Sequence, residues 1–199
     1  AILFTLPKPI NFFFLACVCF YILCLVFRAR PVVAIFGALA YAFATYNPVI
    51  IGAGHESKMW AITFMPLVMA GLISIFEKKY WMGLALTSFG AYLQIGVNHP
   101  QISYYFFLIA AAVTLTYVIG WIKQKDWKHL AIAGSITFIA ALLGVAGNAL
   151  TLLTTNEYTQ YTIRGGKDIS INDGKVTAVN TRGLDTSYAF QYSLGKAEA

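Results

Sequence analysis

Six stretches of this chain contain no aspartate, glutamate, lysine or arginine, and they constrain the fold more than any other feature. They run over about 10–27, 31–51, 59–76, 80–97, 102–122 and 130–153, with 18 to 24 residues each. A helix rises 1.5 Å per residue and the hydrocarbon layer of a bilayer is about 30 Å thick. Because strand-type alternation is absent, we predict six transmembrane helices and not strands of a barrel.

The composition supports this interpretation. The chain is 59% hydrophobic and 11% charged, with a mean hydropathy of +0.68, whereas soluble domains carry about 25% charge. We therefore predict an all-α polytopic bundle over residues 1–153. From the absence of a starting methionine and of a terminating feature we expect an internal piece of a longer chain. Residues 154–199 have a soluble composition and are expected to form a small extracytoplasmic α/β segment.

Charge in the turns predicts the orientation of the helices. The first, third and fifth turns carry seven basic residues and the second and fourth carry only Lys58; the seven are Arg28, Arg30, Lys78, Lys79, Lys123, Lys125 and Lys128. Short loops rich in lysine and arginine stay cytoplasmic, so the odd turns are predicted inside and the even turns outside. His129 follows the fifth turn and is expected to be solvated.

The net charge of +6 follows the same division. Residues 154–199 carry five basic and five acidic groups, whereas residues 1–153 carry nine basic and three acidic groups. The excess is therefore attributed to topology and to contact with anionic lipid head groups. No nucleic-acid-binding module accompanies it, and nucleic acid is excluded as a partner.

Polar groups gather in the three segments that this topology places outside. The candidate residues are His55, Glu56 and Lys58 in the second turn, Asn98, His99 and Gln101 in the fourth turn, and Glu157, Tyr158 and Arg164 after the sixth stretch. Imidazole exchanges protons near neutral pH, and lysine and arginine bind phosphate. A carboxylate acts as a general base or holds a divalent ion. The set suits a phosphorylated lipid head group at the outer interface.

A purely structural role is open for residues in each of these segments. The fourth turn can have a structural role alone, as the cap of the fifth helix, with Pro100 in the first turn of that helix. The corresponding roles elsewhere are a helix cap at Ser57, a lysine that extends to the head groups at Lys58, a capping box formed by Thr154 with Glu157, and a solvated loop residue at Arg164. The agreement of three segments on one face favours a site.

Polar residues and prolines inside the apolar stretches are few. Asn47, Gln94 and Asn148 are expected to face the bundle, since in lipid they need partners on neighbouring helices. Pro48 and Pro66 remove backbone hydrogen bonds and predict kinks. Small residues, such as Gly83 and Gly90 in the fourth stretch and Ala140 and Gly144 in the sixth, predict close helix packing. In the tail, the run around Asn172–Asp173–Gly174 predicts a hairpin, and a short helix is expected from Asp185.

Four blocks of sequence resemble a known family. They read "YAFATYNPVIIGAGHESKMWAITFMPLVMAGL", "LQIGVNHPQISYY", "NEYTQYTIRGG" and "GLDTSYAFQYSLGKAE". Together they are similar to the YfhO-type bacterial membrane protein family, in the form found in Bacteroidetes. The resemblance implies a glycosyltransferase of the GT-C class in the bacterial cytoplasmic membrane. Such an enzyme takes a sugar from a polyprenyl-phosphate donor and transfers it to a cell-envelope polymer or lipid.

The resemblance also bears on the site. The catalytic carboxylate of GT-C enzymes lies in a loop that would precede Ala1 here. His55, Glu56, Lys58, His99 and Gln101 match the external turns of the family, and Glu157, Tyr158 and Arg164 match its following segment.

These matches, with Asn98, define the functional hypothesis. Glu56 and His99 are the candidate catalytic residues and the others the candidate substrate-binding residues. No cofactor is evident, and a divalent cation is an option. The rival hypotheses are a transporter or flippase for lipid-linked sugars and a membrane scaffold without chemistry.

Overall fold

A computed structural model describes residues 6–159 and the backbone of two strands. The chain divides into two units, 1–148 and 149–199. Unit 1 contains α1 (Ile10–Val26), α2 (Pro31–Ala42), α3 (Tyr46–Gly52), α4 (Glu56–Phe76), α5 (Tyr80–Gly96), α6 (Pro100–Lys123) and α7 (Trp127–Gly147). Unit 2 contains α8 (Ala149–Thr159), β1 (Asp168–Asn172) and β2 (Lys175–Val179).

Three of the described helices are long and apolar enough to cross a membrane. These are α4, α6 and α7, with 21, 24 and 21 residues. The α2–α3 pair, bent by 40°, would make a fourth as a broken span, and α1 is a shorter apolar helix of 17 residues. The prediction of six uninterrupted spans therefore holds only in its coarser form, which is a helical chain with three or four candidate spans.

Helix α4 lies at the centre of unit 1. Of its most apolar window 78% is buried, against 17% for α6 and for α7. Its neighbours include α1, α5, α6 and α7. Because α4 is apolar all round, it has no polar face to turn outwards, and burial on every side is the expected result. Large apolar side chains remain exposed on the outer helices, for example Phe36, Phe107 and Phe138. Such extended apolar surface is consistent with a membrane protein.

Glycines bring α4 and α5 into close contact, as the small-residue pattern predicts. A Cβ atom at Gly71 would overlap the backbone nitrogen of Thr87, and one at Gly83 would lie 2.6 Å from that of Ile75. Gly144 of α7 packs in the same way, because its Cβ would lie 2.6 Å from the Cβ of Ala91. The helices approach until backbone meets backbone, which increases their dispersion contacts in a bundle held by packing.

The second apolar stretch is not a single helix. It breaks after α2, because the ring of Pro48 would clash with the carbonyl of Ala44 if the helix continued. The Asn47 amide is buried and donates to the carbonyls of Tyr41 (2.9 Å) and Ala42 (3.0 Å). It thereby satisfies the carbonyl of Ala42 and gives a second donor to that of Tyr41, which also accepts from the N–H of Ala44 at 3.4 Å. In place of the predicted kink at Pro48, the stretch has a break between two helices, with Pro48 in the first turn of the second.

The second internal proline has a different outcome. Helix α4 is a single element from Glu56 to Phe76 although Pro66 lies inside it. Proline has no N–H to offer the carbonyl of Ile62, four residues earlier. The Tyr41 hydroxyl donates a hydrogen bond of 2.6 Å to that carbonyl. A side chain at the end of α2 thus replaces the backbone donor that α4 lacks.

The sixth apolar stretch is also divided. Asn148 ends α7 with non-helical backbone angles, and α8 begins at the next residue. Thr154 lies inside α8 and donates to the carbonyl of Leu150 at 2.9 Å. The predicted capping box of Thr154 and Glu157 is therefore wrong, because a residue inside a helix has no open N–H group to cap.

The described part of the tail contains a two-stranded antiparallel pairing. Strands β1 and β2 pair with Asp168 opposite Val179 and Asn172 opposite Lys175. The expected helix after Asp185 lies outside the described residues, and so does the turn at 173–174.

Candidate functional site

Contacts between α1 and α4 show that these helices run in the same direction. Lys8, just before α1, pairs with Glu56 at the start of α4, and the rings of Phe12 and Trp60 lie 4.6 Å apart. At the far ends of the same helices, Arg28 pairs with Glu77 at 3.6 Å.

Helix α5 runs in the opposite direction along α4. Its start at Gly83 meets Ile75, and its later Gly90 meets Val68. The α5–α6 turn therefore lies at the same end of unit 1 as the start of α4. We call this the polar end, defined by His55, Glu56, Lys58, Asn98, His99 and Gln101. The opposite end, here the basic end, carries Arg28, Arg30, Glu77, Lys78, Lys79, Lys123, Lys125, Asp126 and Lys128.

Glu56 is the acidic residue in the first turn of α4. Its Oε2 atom accepts from the ammonium of Lys8, and both side chains are exposed. Within residues 6–159 its Oε1 atom has no hydrogen-bond partner. Glu56 thus keeps one carboxylate oxygen for a ligand. Lys8 was missed as a site residue, because the pair joins positions 48 residues apart and no local pattern indicates it.

His99 is the N-cap of α6, as the structural interpretation of this turn predicts. Its Nδ1 atom accepts from the backbone N–H of Ile102 at 3.5 Å, and Pro100 occupies the first position of the helix. Because Nδ1 is the acceptor, the neutral ring carries its proton on Nε2. The half-buried imidazole therefore has a donor left over while it caps the helix.

Asn98 has a backbone role in the same turn. Its φ angle is 53°, in the left-handed region, and its N–H donates to the carbonyl of Ile95 at 2.9 Å. Asparagine tolerates this conformation better than most residues and commonly ends helices in this way. The geometry explains why an amide residue stands here, whatever its side chain binds.

Three further candidates at the polar end have uncommitted side chains. His55 is the N-cap residue of α4 but makes no side-chain capping bond. Among the described residues, the side chains of His55, Lys58 and Gln101 form no hydrogen bond or ion pair. The interpretation of Ser57 as the cap of this helix is wrong, because Ser57 lies at its second position.

The remaining candidates belong to unit 2. Glu157 and Tyr158 lie on α8, and both are exposed. Arg164 lies outside the described residues. Their grouping with the polar end of unit 1 stays a prediction.

The basic end contains a buried histidine that was expected to be solvated. His129 is 3% exposed, so that expectation is wrong. Its Nε2 atom lies 2.9 Å from the carbonyl of Phe76, and its Nδ1 atom lies 2.8 Å from the Tyr80 hydroxyl. The ring of Trp121 packs edge-on at 4.6 Å. A carbonyl can only accept, so Nε2 donates to it, and in the neutral ring the Tyr80 hydroxyl donates to Nδ1. His129 thus joins α4, α5, α6 and α7.

An ion pair also lies at the basic end. Lys78 and Asp126 are 2.9 Å apart, and Asp126 also caps α7 through the N–H of His129. The hydrogen bond from Lys78 holds the pKa of Asp126 below its ordinary value, and the bond to Asp126 raises the pKa of Lys78. This network serves packing, which leaves the polar end as the candidate site.

Two buried amides lie near the polar end, as their sequence positions predict. Gln94 is fully buried and donates to the Ser103 hydroxyl at 3.0 Å, while its Oε1 atom has no hydrogen-bond partner among the described residues. Asn148 donates to the carbonyls of Tyr92 (2.9 Å) and Gly144 (3.0 Å). Both residues face the bundle, as predicted.

Between α4 and α5, next to the polar end, lies a cleft of about 340 Å³. Its lining residues are aromatic, aliphatic or glycine, namely Trp60, Phe64, Tyr92, Leu93, Gly96 and Val97. None of them was among the candidates predicted from the sequence. The sequence signal that could have indicated this cleft is the presence of aromatic residues within one or two helical turns of both polar segments.

Comparisons with known proteins identified no relative of this chain. No family model, no curated protein and no solved structure matches the chain. Within the described residues, no group of three or more histidine, cysteine, aspartate or glutamate side chains could hold a metal ion.

Proposed function

We propose that this chain belongs to a membrane glycosyltransferase of the GT-C type. It would transfer a sugar from a polyprenyl-phosphate donor to a cell-envelope polymer or lipid. The observation that supports this most is the meeting of two distant turns at the polar end. There a carboxylate, two imidazoles and an ammonium lie at one end of an apolar bundle, a composition suited to a phosphorylated lipid head group.

The proposed topology has six crossings. Helices α1, α4, α5, α6 and α7 would each cross, and the bent α2–α3 pair would form the remaining crossing. The basic end would face the cytoplasm, because it carries seven of the nine basic residues of unit 1. The polar end would then face the extracytoplasmic side, where the tail 154–199 would also lie.

The proposed roles depend on which atoms of each side chain are already engaged in hydrogen bonds and which are open to a substrate. His99 would donate from Nε2 to the donor phosphate, since Nδ1 is occupied by the helix cap. Lys58 would add charge to the same phosphate and His55 would donate a hydrogen bond to it, so that both stabilise the leaving group. Glu56 would use its open oxygen to orient the acceptor or a divalent cation. Asn98 and Gln101 would contact the substrates.

The test is a transfer assay in bacterial membranes with labelled polyprenyl-phosphate sugar and the full-length protein. The sharpest variant is His99→Asn, because asparagine is a good N-cap and lacks only the imidazole. We expect transfer to fall about 100-fold, the usual effect of losing one donor to a developing charge. Lys58→Ala should also reduce transfer.

The matched control is Lys128→Ala, which removes an exposed lysine from the basic end and should leave transfer unchanged. Transfer at the wild-type rate in both His99→Asn and Lys58→Ala would overturn the assignment of these residues. Movement of the labelled lipid across the bilayer without any transfer would favour the flippase instead.

A further inference from the structure

The basic end of unit 1 carries more positive charge than its own acids compensate. It has seven basic and two acidic side chains. Glu77 lies 3.6 Å from Arg28 and 3.5 Å from Lys79. Asp126 pairs with Lys78 at 2.9 Å. The other four cations are exposed and form no hydrogen bond or ion pair with any described residue; they are Arg30, Lys123, Lys125 and Lys128.

Three of the seven cations occupy backbone positions that favour glycine. The φ angles of Arg28, Lys78 and Lys125 are 61°, 66° and 59°, in the left-handed region. Each residue follows the C-terminus of a helix, where glycine is the usual choice because it has no Cβ atom. Positive charge is therefore kept at this end at positions where the backbone alone would favour glycine.

A groove between α4 and α6 opens at the same end. Its volume is about 350 Å³, and its lining residues are Phe76 at the end of α4 and Thr116, Tyr117, Gly120, Trp121 and Gln124 over the last two turns of α6. The Phe76 ring centroid lies 5.0 Å from that of Tyr117 and 5.5 Å from that of Trp121. Gly120 leaves the groove open, since a Cβ atom there would meet nothing within 4 Å.

The α4–α6 groove lies next to the unpaired charge. Lys123 is the basic residue in the last turn of α6. It follows Gly120 by three residues and Thr116 by seven, so it lies on the same face of the helix, nearer its end. Glu77 follows Phe76 directly, but its two cations more than offset its negative charge. The groove thus combines an apolar wall with a positively charged rim.

We infer that the α4–α6 groove, with Lys123, binds an anionic phospholipid. An acyl chain would lie along the aromatic wall, and the phosphate would pair with Lys123 at the rim. Basic pockets between transmembrane helices are suited to anionic head groups. A soluble anion would leave the apolar wall uncovered, and a zwitterionic lipid carries its own cation beside the phosphate. The inference does not depend on the proposed transfer reaction, which is assigned to the polar end.

The experiment is a lipid titration of the full-length protein in detergent, followed by native mass spectrometry. The probes are phosphatidylglycerol and phosphatidylcholine with identical acyl chains. We expect the first phosphatidylglycerol to bind about tenfold more tightly, because choline offsets the phosphate charge in the other lipid. Inorganic phosphate, which has the charge and no chain, should not displace it.

Gly120→Leu tests the apolar wall. The new side chain would fill the groove and should weaken phosphatidylglycerol binding about tenfold, the contribution of roughly two buried methylene groups. The matched control is Gly134→Leu on α7, an exposed position where a Cβ atom also meets nothing within 4 Å. Binding should not change in the control.

Lys123→Gln tests the charged rim and serves as the second variant if Gly120→Leu does not fold. We expect binding of phosphatidylglycerol to weaken about fivefold, the usual contribution of one basic residue near an anionic surface. Arg30→Gln is the control, because it removes the same charge from the same end. Arg30 precedes α2, which packs on α1, so its loss should change binding little.

Three results would overturn the inference. The first is equal affinity for the two phospholipids, and the second is displacement of phosphatidylglycerol by inorganic phosphate, which would identify a free anion as the ligand. The third is an equal effect of Lys123→Gln and Arg30→Gln, because binding would then depend on the total charge and not on the groove. No sugar donor is present in the titration, so its outcome is independent of the transfer assay.

Discussion

At the residue scale, the clearest dependence is that of Pro66 on Tyr41. Proline leaves the carbonyl of Ile62 without its helical partner, and the tyrosine hydroxyl supplies the missing donor. The two residues lie on different helices, and each is ordinary without the other. The proline is thus tolerated in the central helix because a second helix carries the compensating group.

Tyr41→Phe should lower the free energy of unfolding by about 1–3 kcal/mol, because it leaves a carbonyl without a partner inside the bundle. In a Pro66→Ala background the same change should cost much less, since alanine at that position restores the backbone donor. The measurement is a double-mutant cycle of unfolding in detergent micelles.

Tyr117→Phe is the control, because among the described residues that hydroxyl forms no hydrogen bond. Equal costs of Tyr41→Phe in both backgrounds would show that the two residues are not coupled.

Single residues of the candidate site were predictable to different degrees. The cap at His99 follows from local sequence, since a polar residue before a proline starts a helix. The ion pair of Lys8 with Glu56 and the burial of His129 do not, because each depends on which helices become neighbours. A histidine in a basic turn gives no local sign that three other helices will cover it.

At the element scale, the α4–α5 contact depends on the absence of side chains. Gly71→Ala would place a methyl group on top of the backbone nitrogen of Thr87, so the helices would have to separate. We expect a loss of about 3 kcal/mol or more in the free energy of unfolding.

Gly134→Ala on α7 is the matched control for this prediction. A Cβ there meets nothing within 4 Å, and the higher helix propensity of alanine should leave stability unchanged or slightly raised. Thermal unfolding in detergent compares the two variants. A stability of Gly71→Ala equal to that of Gly134→Ala would contradict the close approach.

The positions of the helices were predictable from the apolar runs, while their continuity was not. The run 31–51 is uniform in composition, yet it breaks where Pro48 excludes the carbonyl of Ala44 from a helix. The run 130–153 breaks at Asn148, whose side chain is held by the backbone of a neighbouring helix. Hydropathy records the length of an apolar stretch and is insensitive to such specific interruptions.

At the scale of the whole molecule, unit 1 has two ends of different chemistry. One end joins Arg28 to Glu77 and Lys78 to Asp126 in ion pairs. The other end has the cleft and the side chains of His55, Lys58 and Gln101, which form no hydrogen bond or ion pair with any described residue. The turn composition predicted this separation, because consecutive helices in a bundle return to alternate ends.

We expect single cysteines at positions 55 and 98 to react with an impermeant maleimide from one side of sealed membranes, and a cysteine at position 128 from the other. The background is the full-length protein without its native cysteines, and lysed membranes provide the control for reactivity. The helix directions place the first two positions together. Labelling of positions 55 and 98 from opposite sides would refute both the topology and the proposed site.

The central location of α4 has a consequence for biogenesis. During synthesis α4 emerges before α5, and its hydropathy and length allow it to enter the bilayer alone. Helix α5 has 17 residues and several glycines that pack closely against its neighbours. In the proposed topology, its contacts with α4 would therefore contribute much of its stability in the bilayer. We therefore expect α4 to act as the template on which the later helices are retained by the translocation machinery.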